Sequence, residues 1–265
     1  MLFIGIILII VAIIVICVRQ FSTTKRYEQL ISSGKQKIGE LVQQITEMKK
    51  ELGELGEDNT TAMKLTAMGT AKCDAPLTSP LGNIPCIYYK MSVTSHWIET
   101  YREDGQTKTR RRSEVLESHE NSTRFKIEDE TGSVEVDPTD GSFEGLRKSV
   151  DKSEVMRQSL PSLSFGNFHL NLGNLPAMSG GAPETIEYHE EVIDVNRRVT
   201  VVGTLCDKMG DLLIEKHEKT PVIVSTKSSD EMIKDTQSTL KTQLIVTGIC
   251  GILGLILTII GAFQS

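Results

Sequence analysis

The sequence predicts a mainly β, antiparallel fold joined to an α-helical juxtamembrane segment and two transmembrane helices. Three observations carry that expectation. Long uncharged apolar runs lie near both ends of the 265 residues, a heptad-like apolar seam follows the first run, and stretches of alternating apolar and polar residues punctuated by Gly and Pro fill the middle. With 39% apolar and 24% charged residues the composition is that of an ordinary folded chain, and a net charge of -6 gives no reason to expect nucleic acid as a partner.

The expected organisation runs as follows: a transmembrane helix over 1–19, a juxtamembrane amphipathic or coiled-coil-like helix over 20–60, and the first part of a β-rich domain over 61–158. A Gly/Asn/Pro/Ser-rich loop over 159–183 comes next. The second part of the β-rich domain over 184–228 follows, then an amphipathic helix over 229–242 and a second transmembrane helix over 243–263.

Leu2 to Val18 carries no charge, and a helix of that length covers roughly 25 Å, near the lower limit for a bilayer. The alternative, a cleaved leader, lacks a basic n-region before the run and a small-x-small site after it. Arg19, Lys25 and Arg26 follow this run, and Lys234 and Lys241 precede the second, Leu244 to Phe263. The positive-inside rule then places the region between them in the cytoplasm.

Ile31, Ile38, Leu41, Ile45, Met48, Leu52 and Leu55 recur mostly at three- and four-residue steps, with Gly34 in the one vacant position. Such a seam either dimerises as a coiled coil or packs on the chain's own globular domain. The segment "PCIYYKMSVTSHWIETYRE" is rich in β-branched and aromatic residues, and Asp104-Gly105 signals the turn that returns it. Tyr88, Tyr89, Trp97 and Tyr101 fall at strand spacing and read as packing residues. Lys108, Arg110, Arg111 and Arg112 make a basic tip, which either contacts anionic lipid head groups or is a solvated turn facing Glu99, Glu103 and Asp104.

In "FKIEDETGSVEVDPTDG" the pairs Phe125/Ile127 and Val134/Val136 alternate with polar residues about a loop ending in Gly132. That pattern is a hairpin. An EF-hand loop requires acids at alternate positions, whereas Glu130 follows Asp129 directly. Gln158 to Pro183 contains no charged residue. Its apolar members Leu163, Phe165, Phe168, Leu170 and Leu172 either fold back on the domain or form a surface for lipid or a protein partner.

The domain resumes over "EVIDVNRRVTVVGTLCDKMGDLLIEKHEKTPVIVST" as three strands punctuated by Gly203, Gly210 and Pro221. Ser229 is the candidate N-cap of the next helix, with Asp230 and Glu231 in its first turn. Thr247, Gly251, Gly254, Thr258 and Gly261 form a small-residue stripe suited to close helix packing in lipid.

No catalytic motif is present, and no catalytic residue is assigned. Cys86 has no neighbouring base and reads as a buried thiol. The five cysteines form no disulfide framework and no C-x-x-C pair. His96, His119, His169, His189 and His217 are scattered, so no metal and no cofactor is expected.

Several motifs in order resemble the GIDE-type domain, also called BAM for "beside a membrane", of the MULAN-like ubiquitin ligases and their prokaryotic relatives. They are Pro76, Leu77, Ser79 and Pro80, then Pro85, Cys86, Tyr88 and Tyr89, then Asp129, Gly132 and Pro138, and finally Gly203 in "VTVVGTL". The resemblance covers about Thr66 to Thr236 and implies a β-rich domain beside a membrane. In the ligases a zinc-binding RING follows the second span, whereas here only "QS" follows it. The resemblance therefore implies a membrane-anchored, non-catalytic binding or scaffolding module rather than ligase chemistry. Two alternatives stand beside it: a component of a ubiquitin-ligase-like system whose RING comes from a partner, and an envelope-stress sensor. The expected partners are the lipid bilayer and either a membrane protein or a second copy of the chain.

Overall fold

The computed structural model describes residues 35–53, 62–156, 162–171, 185–208, 211–217 and 220–263. Its centre is a closed barrel of five strands: β2 (Ala62–Lys72), β6 (Phe125–Glu128), β7 (Ser133–Val136), β13 (Arg198–Lys208) and β14 (Asp211–Glu215). β2 closes the barrel because it pairs along most of its length with β13 and, at its end, with β6. β6 and β7 are an antiparallel hairpin, β7 runs parallel to β14, and β14 returns antiparallel to β13. Numbered within the barrel, the order is 1-2-3-5-4-1 with a single parallel contact. That is the arrangement of the five-stranded Greek-key barrels of the OB type.

Alternation explains the strands. Leu65, Ala67 and Ala71 of β2, Phe125 and Ile127 of β6, and Val134 and Val136 of β7 all turn inward and are at most 5% exposed. Glycines mark where a neighbouring backbone or side chain comes close. A Cβ on Gly69 would sit 2.7 Å from the Glu128 carbonyl oxygen, and one on Gly203 would sit 2.8 Å from Ile214 Cγ2.

Helix α1 (Ile38–Gly53) plugs the barrel. Ile38, Leu41 and Ile45, on one helical stripe, are 0–1% exposed and belong to the same core as Leu65, Phe125 and Ile127. Each such side chain contributes about 1.5–3 kcal/mol by burial. Met48 packs partly buried against this core. The coiled-coil expectation is therefore corrected: the described part of the seam is spent on the chain's own barrel. Ile31 and Leu55 lie outside the described residues.

A second sheet is inserted between barrel strands. Its main order is β5 (Gln106–Ser122), β4 (Pro85–Glu103), β12 (Thr185–Asp194) and β9 (Arg147–Val155), with short β3 (Leu77–Thr78) on the start of β4. Met91, Val93, Ile186 and Tyr188 build its core, over which lies the hairpin of β10 (Ser162–Phe165) and β11 (Phe168–Asn171). β12 pairs with β4 only as far as His96. Beyond it β4 and β5 continue as a two-stranded arm of roughly 20 Å. Its turn holds Asp104 at φ 53° and Gly105 at φ 75°, the left-handed pair that a two-residue hairpin loop requires. Short strands complete the barrel sheet: β1 (Lys35–Gln36) beside β2, β15 (Ile223–Ser225) beside β13, and β8 (Ser142–Glu144) beside β15.

Helix α2 (Ser229–Phe263) leaves from β15. Its cap is Ser228, one residue before the candidate Ser229. The Ser228 hydroxyl accepts the Glu231 N–H, and the Glu231 carboxylate accepts the Ser228 N–H at 2.7 Å. The serine three residues before a glutamate wins because both bonds of a capping box form at that spacing.

The expectation of two transmembrane helices, and of an integral two-pass location, is corrected. Among the described residues no helix is long and apolar enough to cross a membrane. The opening turns of α2 carry Asp230, Glu231, Lys234, Asp235 and Lys241. Residues 1–19 lie outside the described residues. The stripe Thr247, Gly251, Gly254, Thr258 and Gly261 falls on the later part of α2, whose side chains are not described.

Candidate functional site

A groove of about 820 Å³ opens on the outer face of the barrel. β2 supplies the floor: with Leu65, Ala67 and Ala71 turned inward, alternation sends Thr66, Met68 and Thr70 outward. The β6–β7 loop forms one wall, and the starts of both helices close the ends with Lys37 and Ser229.

The wall is rigid for a reason visible in its residues. Asp129 Oδ1 accepts the Thr131 and Gly132 N–H groups and the Thr131 hydroxyl, folding the loop on itself. Its Oδ2 accepts the Ile38 N–H at 2.9 Å, and Thr131 Oγ1 accepts the Gly39 N–H at 2.8 Å. The loop thus caps helix α1 from 91 and 92 residues away and leaves Gly39 no space for a side chain: a Cβ there would sit 2.8 Å from the Thr131 carbonyl oxygen. Burial acts to raise the Asp129 carboxyl, but these hydrogen bonds from Ile38, Thr131 and Gly132 outweigh it and hold it below the ordinary aspartate value.

Two polar groups in the groove lack partners among the described residues: Thr66 and Ser229 are each 3% exposed, and neither Thr66 Oγ1 nor Ser229 Oγ has a hydrogen-bond partner there. Lys72 is committed, its Nζ 2.7 Å from Asn196 Oδ1. Lys37 and Arg198 are exposed at the rim. With Glu128 and Glu130 opposite, the groove offers charges of both signs over a floor of hydroxyls and one methionine.

The family-motif residues assemble a second feature, a clasped loop. Ser79 donates its N–H to the Ile84 carbonyl, its own carbonyl accepts the Asn83 N–H, its hydroxyl accepts the Ile84 N–H, and Asn83 takes a positive φ of 54°. Pro80 precedes Leu81 and Gly82, whose N–H groups donate to the two oxygens of Glu190 at 2.6 and 2.9 Å. Ser149 Oγ adds a third bond at 2.6 Å. Glu190 is fully buried. The sequence carried a signal for it: in β12 it lies in phase with Ile186 and Tyr188, so an acid occupies a buried position. Cys86 nearby is also fully buried, and burial, then Glu190 and Asp194, push its thiol up to about 12, where it is inert. Pro85 is exposed, Leu77 packs partly buried against Cys86, and Pro76 lies on the loop before it.

Tyr88 stacks on Phe143 and donates to Glu120, while Tyr89 meets His119 Nδ1 at 2.9 Å. Pro138 lies in a turn where its carbonyl accepts the Gly141 N–H, beside Asp137 paired with Arg124. Along the arm, Lys108 donates to Glu103 at 2.7 Å, and Arg110 and Arg112 both donate to Glu99. These hydrogen bonds hold the Glu99 carboxyl at about 2. Arg111 is on the opposite face, across from Ile98. Of the apolar residues in the uncharged segment, Leu163 and Phe168 are buried, Phe165 stacks on Tyr188, and Leu170 packs against the second core. Leu172 lies outside the described residues. Among the described residues no group of three or more His, Cys, Asp or Glu could hold a metal ion.

A family model described as GIDE, E3 ubiquitin ligase, matches residues 97–260, a range from the arm through the barrel into α2. Asp129, Gly132, Pro138 and Gly203 fall within it, and the motif residues from Pro76 to Tyr89 precede it. No curated protein and no solved structure matches the chain.

Proposed function

The chain belongs to the GIDE family, and on that premise we propose that it is a binding module related to the E3 ubiquitin ligases. It holds a polypeptide partner in the barrel groove and performs no bond chemistry of its own. The observation that carries this reading is the pair of buried hydroxyls without partners among the described residues, Thr66 and Ser229, in a groove of about 820 Å³. Buried polar groups are normally satisfied, and a polar main chain laid across β2 supplies both donors and acceptors. The rim charges Lys37, Arg198, Glu128 and Glu130 suit a segment of mixed charge. The groups that chemistry would need are otherwise engaged: the Cys86 thiol is buried and raised, and the Glu190 carboxylate is saturated by three donors.

The test places a photo-crosslinking residue at Met68 of the full chain in its native cell. The reading expects a discrete adduct that disappears when Arg198→Glu is added. Adducts that are absent, or indifferent to Arg198→Glu, would overturn it.

A second reading is favoured by the description of the matching family. The chain is then a component of a ubiquitin-ligase system, with the RING supplied by a partner. Reconstitution decides this: ubiquitin transfer that requires both this chain and a RING-bearing partner supports it, and transfer that is the same without this chain removes it.

A further inference from the structure

Strand β5 is the outer edge of the second sheet, and it is long: 17 residues, paired among the described residues only with β4. The pairing of Glu103 with Gln106 closes the two-residue turn, so Gln106, Lys108, Arg110, Arg112 and Glu114 exchange hydrogen bonds with β4. Thr107, Thr109, Arg111, Ser113 and Val115 therefore direct their N–H and C=O groups away from the sheet. Nearly every residue of β5 is exposed, including Val115 at 59%. An exposed edge of this kind, interrupted by the one-residue bulge at Leu116, is a template for another strand.

Charge along β5 is sorted by sign. Lys108, Arg110, Arg111 and Arg112 precede Ser113, and Glu114, Glu117 and Glu120 follow it. Edge strands usually carry charge to prevent pairing, but sorted charge prevents only some pairings. A parallel neighbour of the same sequence would set arginine beside arginine. An antiparallel neighbour centred on Ser113 would set Arg112 opposite Glu114 of the second copy, twice by symmetry. Arg111 would then face Val115 with Glu117 on the diagonal, and Arg110 and Lys108 would face Leu116 and Ser118, so no like charges meet. Within the chain the balance is incomplete. Glu99 is shared by Arg110 and Arg112, while Arg111, Glu114 and Glu117 make no ion pair among the described residues.

We propose that β5 is a self-recognition edge. Two copies of the chain pair antiparallel through it about Ser113, joining their second sheets into one sheet with four main strands from each copy. The occupant is a second copy because the sequence of this edge is complementary to itself in one direction only. The groove lies on the barrel, apart from this edge, so self-pairing stands whether or not the groove takes a polypeptide.

The experiment uses the full chain and a charge exchange. Arg111→Glu with Arg112→Glu makes β5 acidic in both halves, and Glu114→Arg with Glu117→Arg makes it basic in both halves. Sedimentation at low salt should show the parent as a dimer. Each variant alone should dissociate at least about tenfold more readily, and an equimolar mixture of the two should regain a dimer containing one of each. Arg111, Arg112 and Glu114 are exposed and Glu117 is half-buried, and far-UV circular dichroism checks that each variant keeps the fold. Ser113→Cys supplies a second reading: its two copies should couple by a disulfide under mild oxidation, whereas Thr109→Cys, displaced from the centre, should not couple with itself. A monomeric parent, or variants that associate as the parent does and do not select each other, would overturn the proposal.

Discussion

Replacing Glu190 by alanine should cost the domain about 3–5 kcal/mol. Three donors converge on this carboxylate: the N–H groups of Leu81 and Gly82 and the Ser149 hydroxyl. The hydroxyl has a second acceptor already in reach, the Glu190 carbonyl at 3.1 Å, so its loss is partly made good. The two N–H groups have none among the described residues. Each costs about 1–3 kcal/mol when left without a partner, and the removed side chain adds a cavity term. Glu190→Gln keeps the shape and one acceptor oxygen but turns an amide N–H₂ toward a donor, so it should cost less, about 1–3 kcal/mol. Urea unfolding followed by circular dichroism reads both, and the alanine variant should lower the midpoint by about 1–2 M at an unchanged slope. Hydrogen exchange at Leu81 and Gly82 should accelerate before the rest of the sheet. An alanine variant within about 1 kcal/mol of the parent would show that the clasp is ornamental and that the loop is held by Ser79 and Asn83 alone.

Asp129→Ala should release the start of α1, with a loss of about 1–2 kcal/mol read by unfolding and by faster exchange at Ile38 and Gly39. Because the folded pKa values of Asp129 and Asp137 are depressed, their contribution to stability is present above the ordinary aspartate value of about 3.9. It is lost as pH falls below that toward the depressed values, so Asp129→Asn with Asp137→Asn should flatten the acid side of the stability profile. Gly203→Ala would set a methyl 2.8 Å from Ile214 Cγ2 inside the barrel and should cost about 1–3 kcal/mol, read by urea unfolding. Cys86 should resist iodoacetamide at pH 8 in the folded chain and react on unfolding, since burial holds its thiol up at about 12.

Local structure was legible where short-range pattern decides it. Phe125 with Ile127 and Val134 with Val136 announced a hairpin, and it is present in that register. Asp104-Gly105 announced the turn of the arm. The apolar stripe of α1 announced a helix, but a stripe does not say what it faces, and the barrel rather than a second helix covers Ile38, Leu41 and Ile45. Barrel closure was invisible because it depends on pairings far apart in sequence: β2 on β13, and the parallel contact of β7 with β14. Apolar length alone also misled, since it does not by itself place a segment in a membrane. Of the groove, Asp129 and Gly132 were legible as a turn. Their second role, capping α1 from across the fold, was not, because no local spacing encodes it. Glu190 was legible in phase only, as an acid in step with Ile186 and Tyr188.

On the proposed reading, the chain acts by holding a polypeptide in the groove on β2. The direct measurement is fluorescence anisotropy with peptides selected from a random library against the full chain, repeated with Thr66→Val plus Arg198→Glu and with Arg111→Glu plus Arg112→Glu on the arm. The groove variant should bind at least about tenfold more weakly, and the arm variant as tightly as the parent. Peptides that bind the groove variant as tightly as the parent would contradict it.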